Sequence, residues 1–398
     1  MAIVASGRRS RQDLSRREFL QQASMASLGV AACGGQPASA KGENRAIGQA
    51  PAGSGKANDL PSGGKPIKLF SCDFNWVHLD KPIQTVEPSA PQDWAFVDPK
   101  AYFQWHKDMG VNIMFCQAYT SSGYAFYPTK LGPLAPGPGQ DLLPELFRLA
   151  RKAHMPFNSY FCVGADYIMS NMRNSWVIPT SRKYAPWGFL APESPWTDLL
   201  CARVEEFLRT YPVDWILFDW FVYGNLESNN LPVQPAWFVK GPFKEIIGRD
   251  MPRDATGITP EENIKYKREV LARQFYRIQE AVHKSHRETK IYFNVPYRKP
   301  AEALWVNHPM LNESDMLFAE SSDDVVPWLL SVRKPHQRVM TTIAGRPDGT
   351  CDPTTWKKWY EAGCDFDGYA WGTPPDFRPH RDAKAAVDMV RQAYHQMP

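Results

Sequence analysis

Two carboxylates interrupt apolar runs at places where chemistry is expected. Asp219 follows Trp215-Ile216-Leu217-Phe218, and Glu320 follows Met316-Leu317-Phe318-Ala319. A charge within such a run is costly unless the chain emerges there into a polar cavity. Two carboxyl groups facing one cavity can break a glycosidic bond. One attacks or stabilises the anomeric carbon, and the other, its pKa raised by its surroundings, protonates the leaving oxygen. A separation of about 5–5.5 Å between them implies retention of configuration, and about 6.5–9.5 Å inversion. Glu227 and Asp323 are rival acids on neighbouring segments.

The surrounding polar residues suit a sugar. Gln117, Asp166, Tyr167, Asn294 and Arg346 follow or end other β-rich runs, as do Asp73, Asn75, Trp76, Tyr119, Trp220 and Trp371. Indole and phenol rings stack on the apolar faces of pyranoses, while carboxylates and amides hold hydroxyls. Asp73, Trp76, Tyr119, Tyr127, Asp166, Trp220, Asn294 and Trp371 are therefore the expected substrate-binding residues. No histidine cluster, no nucleophile elbow of the Gly-x-Ser-x-Gly kind and no phosphate loop accompanies them. No cofactor is needed for this chemistry. No cysteine forms a C-x-x-C pair or sits beside histidines at zinc spacing, so no metal site is expected.

The elements that must position these residues can be counted. From residue 66 onward, β-rich runs at 67–74, 112–118, 156–163, 215–221, 290–295, 315–319, 338–343 and 368–371 alternate with amphipathic stretches. Most runs are near-continuously hydrophobic rather than strictly alternating, the pattern of parallel strands covered on both faces. Leu200, Val204, Phe207 and Tyr211 recur at helical spacing behind Thr197, which is suited to capping. Leu271, Phe275, Ile278 and Val282 stripe the longest helix, over 261–287. Asp352-Pro353 opens a further helix whose Trp356, Trp359 and Tyr360 face inward. Ala386, Met389, Val390 and Ala393 stripe the last.

Eight strands each followed by a helix predict a (β/α)8 barrel of the α/β class, as one domain over 66–398. An open doubly wound sheet would show glycines after its first strand, and none are there. In a barrel the residues that end strands share one rim, and strands four and six stand about a quarter-turn apart on it. On this reading Asp214 starts strand four at the opposite face and is structural, and Asp365 and Asp367 precede the last strand and belong with it. The aromatic-rich segments 164–196 and 222–260 are expected to wall the pocket over Asp219.

Composition excludes other classes. The chain has 398 residues, 43% hydrophobic and 22% charged, which is globular rather than disordered. The net charge of +4 is concentrated in the leader, where five arginines face Asp13 and Glu18, so the chain beyond Cys33 carries only +1. A near-neutral body offers no field for phosphate backbones, and nucleic acid is not an expected partner.

Ser15-Arg16-Arg17-Glu18-Phe19-Leu20, followed by a short apolar run, reads as an export signal over 1–40. Its adjacent arginines resemble a twin-arginine signal, which implies the twin-arginine export machinery as a partner. Val30-Ala31-Ala32-Cys33 resembles a lipoprotein box that would place a lipid anchor at Cys33. Ala38-Ser39-Ala40 offers a simple cleavage site instead, and both exits stay open. Residues 41–65 form a flexible linker, rich in small residues and proline. The expected location is periplasmic or anchored to the cell envelope. Cys72, Cys116, Cys162, Cys201, Cys351 and Cys364 are expected as thiols rather than disulfides, most of them buried.

The segment from Val204 through Tyr211-Pro212-Val213-Asp214 to Phe218-Asp219-Trp220 resembles the helix-three-to-strand-four segment of α-L-fucosidases. Ala118-Tyr119-Thr120-Ser121-Ser122-Gly123-Tyr124-Ala125-Phe126-Tyr127-Pro128-Thr129-Lys130 is similar to a phrase in bacterial glycoside hydrolases of the same barrel superfamily, and Phe318-Ala319-Glu320-Ser321 is the third specific match. The resemblance implies a (β/α)8 glycosidase, exo-acting on fucosides as α-L-fucosidases are, with Asp219 as the nucleophile of a retaining mechanism. Phe74-Asn75-Trp76-Val77-His78 departs from the Trp- and His-rich fucosidase pattern near the first strands. The acid of that family is weakly fixed in sequence, so Glu320 rests on its strand position. Two other readings stay open: a non-catalytic carbohydrate-binding barrel, and a barrel enzyme acting on another bond.

Overall fold

A computed structural model describes residues 65–73, 97–135, 141–179, 181, 188–224, 232–295, 302–320, 325–343, 353–371 and 383–398. The leader, Cys33, residues 41–64 of the linker, Asn75, Trp76, Glu227, Asp323, Arg346 and Cys351 lie outside the described residues.

Eight strands are present among the described residues: Lys68–Asp73 (β1), Met114–Tyr119 (β2), Phe157–Cys162 (β3), Trp215–Asp219 (β4), Lys290–Asn294 (β5), Met316–Ala319 (β6), Arg338–Thr342 (β7) and Asp365–Trp371 (β8). All neighbours are parallel, in the order β1-β8-β7-β6-β5-β4-β3-β2. β1 meets the start of β2 through Asn112, whose backbone N–H donates to the Lys68 carbonyl at 2.9 Å. The Asn112 side-chain oxygen accepts the Lys68 N–H at 2.8 Å. The sheet thus curls into a (β/α)8 barrel.

The helices between strands are Pro99–Met109 (α1), Leu142–Lys152 (α2), Tyr167–Met172 (α3), Trp196–Thr210 (α4), Trp237–Ile247 (α5), Pro260–Ser285 (α6), Glu302–Trp305 (α7), Pro309–Glu313 (α8), Val325–Val332 (α9), Trp356–Glu361 (α10) and Ala383–Gln396 (α11). β2 and β3 are buried along their whole length, as parallel strands under helices must be. The longest helix, α6, starts at a capping box in which Thr259 and Glu262 bond reciprocally, with Pro260 at its first position. Its stripe of Val270, Leu271, Phe275, Ile278 and Val282 is buried, and the helix packs on α4. No helix among the described residues is long and apolar enough to cross a membrane.

Several expected boundaries move. β8 begins at Asp365, three residues before the expected start, because Asp365 and Asp367 belong to the ladder with β7 and β1. β4 stops at Asp219 because Trp220 adopts φ 56°, in the left-handed region that an extended strand cannot enter. Thr197 lies inside the first turn of α4 rather than before it, and its hydroxyl donates to the Pro192 carbonyl at 2.6 Å. In α11 the buried stripe is Val387, Val390, Ala393 and Tyr394, with Met389 exposed.

The bottom of the barrel is stitched by side chains at the starts of even strands. Asp214 accepts the Phe157 N–H at 2.8 Å, Asp315 the Ile291 N–H at 2.8 Å, and Asp365 the Ile67 N–H at 2.8 Å. Asp214 and Asp365 are accordingly structural, the latter also paired with Arg338. Cys72, Cys116, Cys162, Cys201 and Cys364 are free, buried thiols.

Candidate active site

A pocket opens inside the barrel, lined by side chains two residues apart on five strands. These are Ser71 and Asp73 on β1, Phe115 and Gln117 on β2, Leu217 and Asp219 on β4, Phe318 and Glu320 on or just beyond β6, and Asp367 and Tyr369 on β8. Tyr160 and Asn294 complete the lining. Alternate residues of a strand face one side, so each pair supplies a deeper member and an outer one. The outer layer is Asp73, Gln117, Asp219, Asn294, Glu320 and Tyr369. The deeper layer is mostly apolar, with Phe115, Leu217 and Phe318.

The outer layer divides into two arcs. On β4 to β6, Asn294 bridges the two carboxylates with a single amide group. Its Nδ2 donates to Asp219 Oδ1 at 3.0 Å and to Glu320 Oε2 at 2.8 Å. The two hydrogens of an amide diverge by about 120°, and with that ideal geometry the oxygens that receive them would lie about 5 Å apart. Asp219 accepts two more donors, the Tyr160 hydroxyl at 3.0 Å and the Trp220 N–H at 2.7 Å. The left-handed turn at Trp220 is what aims that N–H at the carboxylate.

On the facing arc, Asp73 accepts the Tyr369 hydroxyl and, at 3.4 Å, the Gln117 amide. Burial, and secondarily the charge of Glu320, pushes Asp219 up to about 7. The three donors trained on Asp219 favour keeping the negative charge there. No cluster of His, Cys, Asp or Glu among the described residues is arranged to hold a metal ion.

Of the residues expected to bind substrate, Asp73 and Asn294 line the cavity. Trp371 ends β8 opposite Asp73, but its side chain, like Trp76, lies outside the described residues. Trp220 adjoins the cavity rather than lining it, with its ring against Phe189.

Tyr119, Tyr127 and Asp166 are corrections, since all three sit behind the wall. The β2–β3 register slips between Gln117 and Tyr119, so Tyr119 pairs with Phe161 and turns outward with it. Tyr127 packs edge-on against Tyr119 and Phe207. Asp166 caps α3 and forms a buried ion pair with Arg203 at 2.8 Å. The Arg203 guanidinium lies between the rings of Tyr119 and Trp196. Removing one partner of a buried pair strands the other charge. Asp166→Ala is therefore expected to cost about 3–5 kcal/mol of stability in a denaturation experiment. An undiminished midpoint with a raised KM would restore Asp166 to substrate binding.

Ser71, Tyr160, Asp367 and Tyr369 were not among the expected site residues. Strand alternation, counted back from Asp73 and Trp371, could have identified three of them. Nothing in Phe157-Asn158-Ser159-Tyr160-Phe161-Cys162 marks Tyr160 as the residue whose hydroxyl reaches Asp219.

Behind the Asp219 wall, Glu193 joins the segment preceding α4 to Tyr223 and to Tyr266 of α6, and both hydroxyls donate to its Oε1. Its Oε2 is buried without a hydrogen-bond partner. Burial outweighs the two hydroxyls and pushes this carboxyl up to about 7. The folded state therefore holds the proton more tightly than the unfolded chain does. That stability is complete below the ordinary carboxyl range and lost as pH rises through about 7, on the order of 3 kcal/mol. Glu193→Gln is expected to melt higher than wild type at pH 8.5 and about equally at pH 5. An equal offset at both pH values would count against the shift.

No family model matches the chain. No curated protein sequence matches it. Among solved structures, α-L-fucosidase isoenzyme 2 from Paenibacillus thiaminolyticus aligns over 84% of this chain, at TM-score 0.57 and 15% identity. The chain spans about half of that protein, 49% of its length. What the two share is the fold, a (β/α)8 barrel. An α-L-fucosidase from Lactobacillus casei, solved with α-L-fucose product, aligns over 76% of this chain and 81% of its own, at TM-score 0.44 and 13% identity. The Thermotoga maritima α-fucosidase aligns over 75% of this chain and 56% of its own, at TM-score 0.40 and 14% identity.

Proposed function

We propose that this chain is an exported glycoside hydrolase that cleaves with retention, using Asp219 as nucleophile and Glu320 as acid and base. The observation that carries this reading is the Asn294 amide bridging the two carboxylates, because a spacing of about 5 Å is that of retaining enzymes. In the first step an Asp219 oxygen forms a bond to the anomeric carbon. The bond from that carbon to the leaving oxygen breaks, and Glu320 gives the oxygen its proton. In the second step Glu320 takes a proton from water, whose oxygen displaces Asp219 from the sugar.

The apolar deeper layer of Phe115, Leu217 and Phe318 suits a sugar that carries a methyl group. A 6-deoxyhexoside such as an α-L-fucoside, cleaved from a chain end, is the substrate we favour. The fold of the solved fucosidases supports this choice.

The test is a panel of nitrophenyl glycosides, α-L-fucoside first, then α- and β-galactosides, with the first-formed anomer read by NMR. Turnover with retained configuration is expected. Binding of free sugars without any turnover would favour the carbohydrate-binding reading, and inverted product would remove Asp219 as nucleophile. The leader supports export. Replacing Arg16 and Arg17 together by lysine is expected to leave the protein in the cytoplasm on fractionation, and Cys33→Ser separates the anchored from the cleaved form.

A further inference from the structure

The deeper layer of the cavity holds one polar spot. Among Phe115, Leu217 and Phe318 stand Ser71 and Asp367, on the adjoining strands β1 and β8. Tyr160, which also lines the cavity, turns its hydroxyl to Asp219. Asp367 is only 2% exposed. It lies four residues before the end of β8, about 13 Å down the strand from Trp371. Asp219, Asn294 and Glu320 stand at or just past the ends of their own strands, so Asp367 lies beneath the carboxylate pair.

A carboxyl group set in an apolar floor is costly, and the barrel's closure does not need it there. Asp365 already supplies the stitch and the ion pair at the bottom of β8. The Ser71 N–H donates to Asp367 Oδ1 at 3.1 Å, and its hydroxyl lies 3.1 Å from Oδ2. Each carboxyl oxygen offers two acceptor sites, so one bond to each, from the Ser71 backbone and hydroxyl, leaves capacity on both oxygens.

We infer that Asp367, held by Ser71, is a specificity-determining residue that grips a ring hydroxyl of the bound sugar on the side remote from the leaving group. The inference rests on the glycosidase reading and deepens it, because it states which part of the sugar the floor reads.

Burial pushes the Asp367 carboxyl well up, with the charges of Glu320 and Asp73 adding to the effect. A neutral acid is both donor and acceptor, as a sugar hydroxyl is, and the two can exchange a pair of hydrogen bonds. Asparagine reproduces that pattern. Its oxygen accepts the Ser71 N–H, and its amide donates to the Ser71 hydroxyl and to the sugar. Alanine leaves the hydroxyl facing an empty apolar floor.

The experiment is a substrate–mutant cycle with 4-nitrophenyl α-L-fucoside and its 2-, 3- and 4-deoxy counterparts, or the same series for the panel glycoside that turns over fastest. Wild type, Asp367→Asn and Asp367→Ala are compared by kcat/KM, with thermal melting to confirm that each is folded. Wild type is expected to lose about 10²-fold or more on one deoxy substrate. Asp367→Asn keeps that preference within a few-fold of wild-type activity. Asp367→Ala loses activity on the parent glycoside and no longer distinguishes it from that deoxy analogue. The same deoxy penalties in Asp367→Ala as in wild type would overturn the inference, and so would equal losses in both variants on every substrate. If wild type is silent on the whole panel, the glycosidase reading fails first and this inference falls with it.

Discussion

Asp219→Asn is expected to reduce kcat on an aryl glycoside by about 10³-fold or more while the protein still binds sugar. The asparagine keeps the shape of the site and can still accept the Tyr160 hydroxyl and the Trp220 N–H. It has no anionic oxygen with which to form the glycosyl intermediate. A smaller variant, Asp219→Gly, supplies a second readout. It leaves space where an external anion such as azide can attack the same carbon from the same face. Azide is expected to restore turnover and yield a glycosyl azide of inverted configuration. Unchanged turnover in Asp219→Asn would remove this residue from the chemistry, whatever the fold.

Glu320→Gln is expected to behave differently with different leaving groups. Loss of the proton donor should cost about 10²–10⁴-fold on a substrate with a poor leaving group. A dinitrophenyl glycoside, whose leaving group departs without a proton, should be cleaved in its first step at nearly the wild-type rate. The pH profile should also move in a fixed direction. In wild type the charge of Glu320 helps to push Asp219 up to about 7. A neutral glutamine removes that contribution, so Asp219 ionises at lower pH and the acid limb of the profile shifts downward. An equal loss on both leaving groups would assign the acid role elsewhere.

The parts of the site that were legible in the sequence share a physical origin. Asp219 and Glu320 ended apolar runs, and a buried strand can tolerate a carboxylate mainly where it reaches a cavity. Asn294 ended Ile291-Tyr292-Phe293 in the same way. Asp214 could be read as structural because it preceded a strand rather than ended one, and its bond to the Phe157 N–H is the consequence. Tyr119 was misread because a one-residue slip in register changes which face of the sheet a side chain occupies. Nothing in Cys116-Gln117-Ala118-Tyr119 announces the bulge. Asp166 was misread because its partner, Arg203, is 37 residues away and comes near only when α4 packs behind β2 and β3.

By itself, then, the chain's order of residues determined the alternation of strand and helix and the points where acids leave buried strands. These follow from local periodicity and from the cost of burying charge. Only the closed barrel decided which of those acids face one another. The amide bridge at Asn294, the spacing it sets between Asp219 and Glu320, and the polar spot at Asp367 and Ser71 join residues from five strands. Such distances are set by strand register and shear, which are collective properties of the sheet and are written in no single segment.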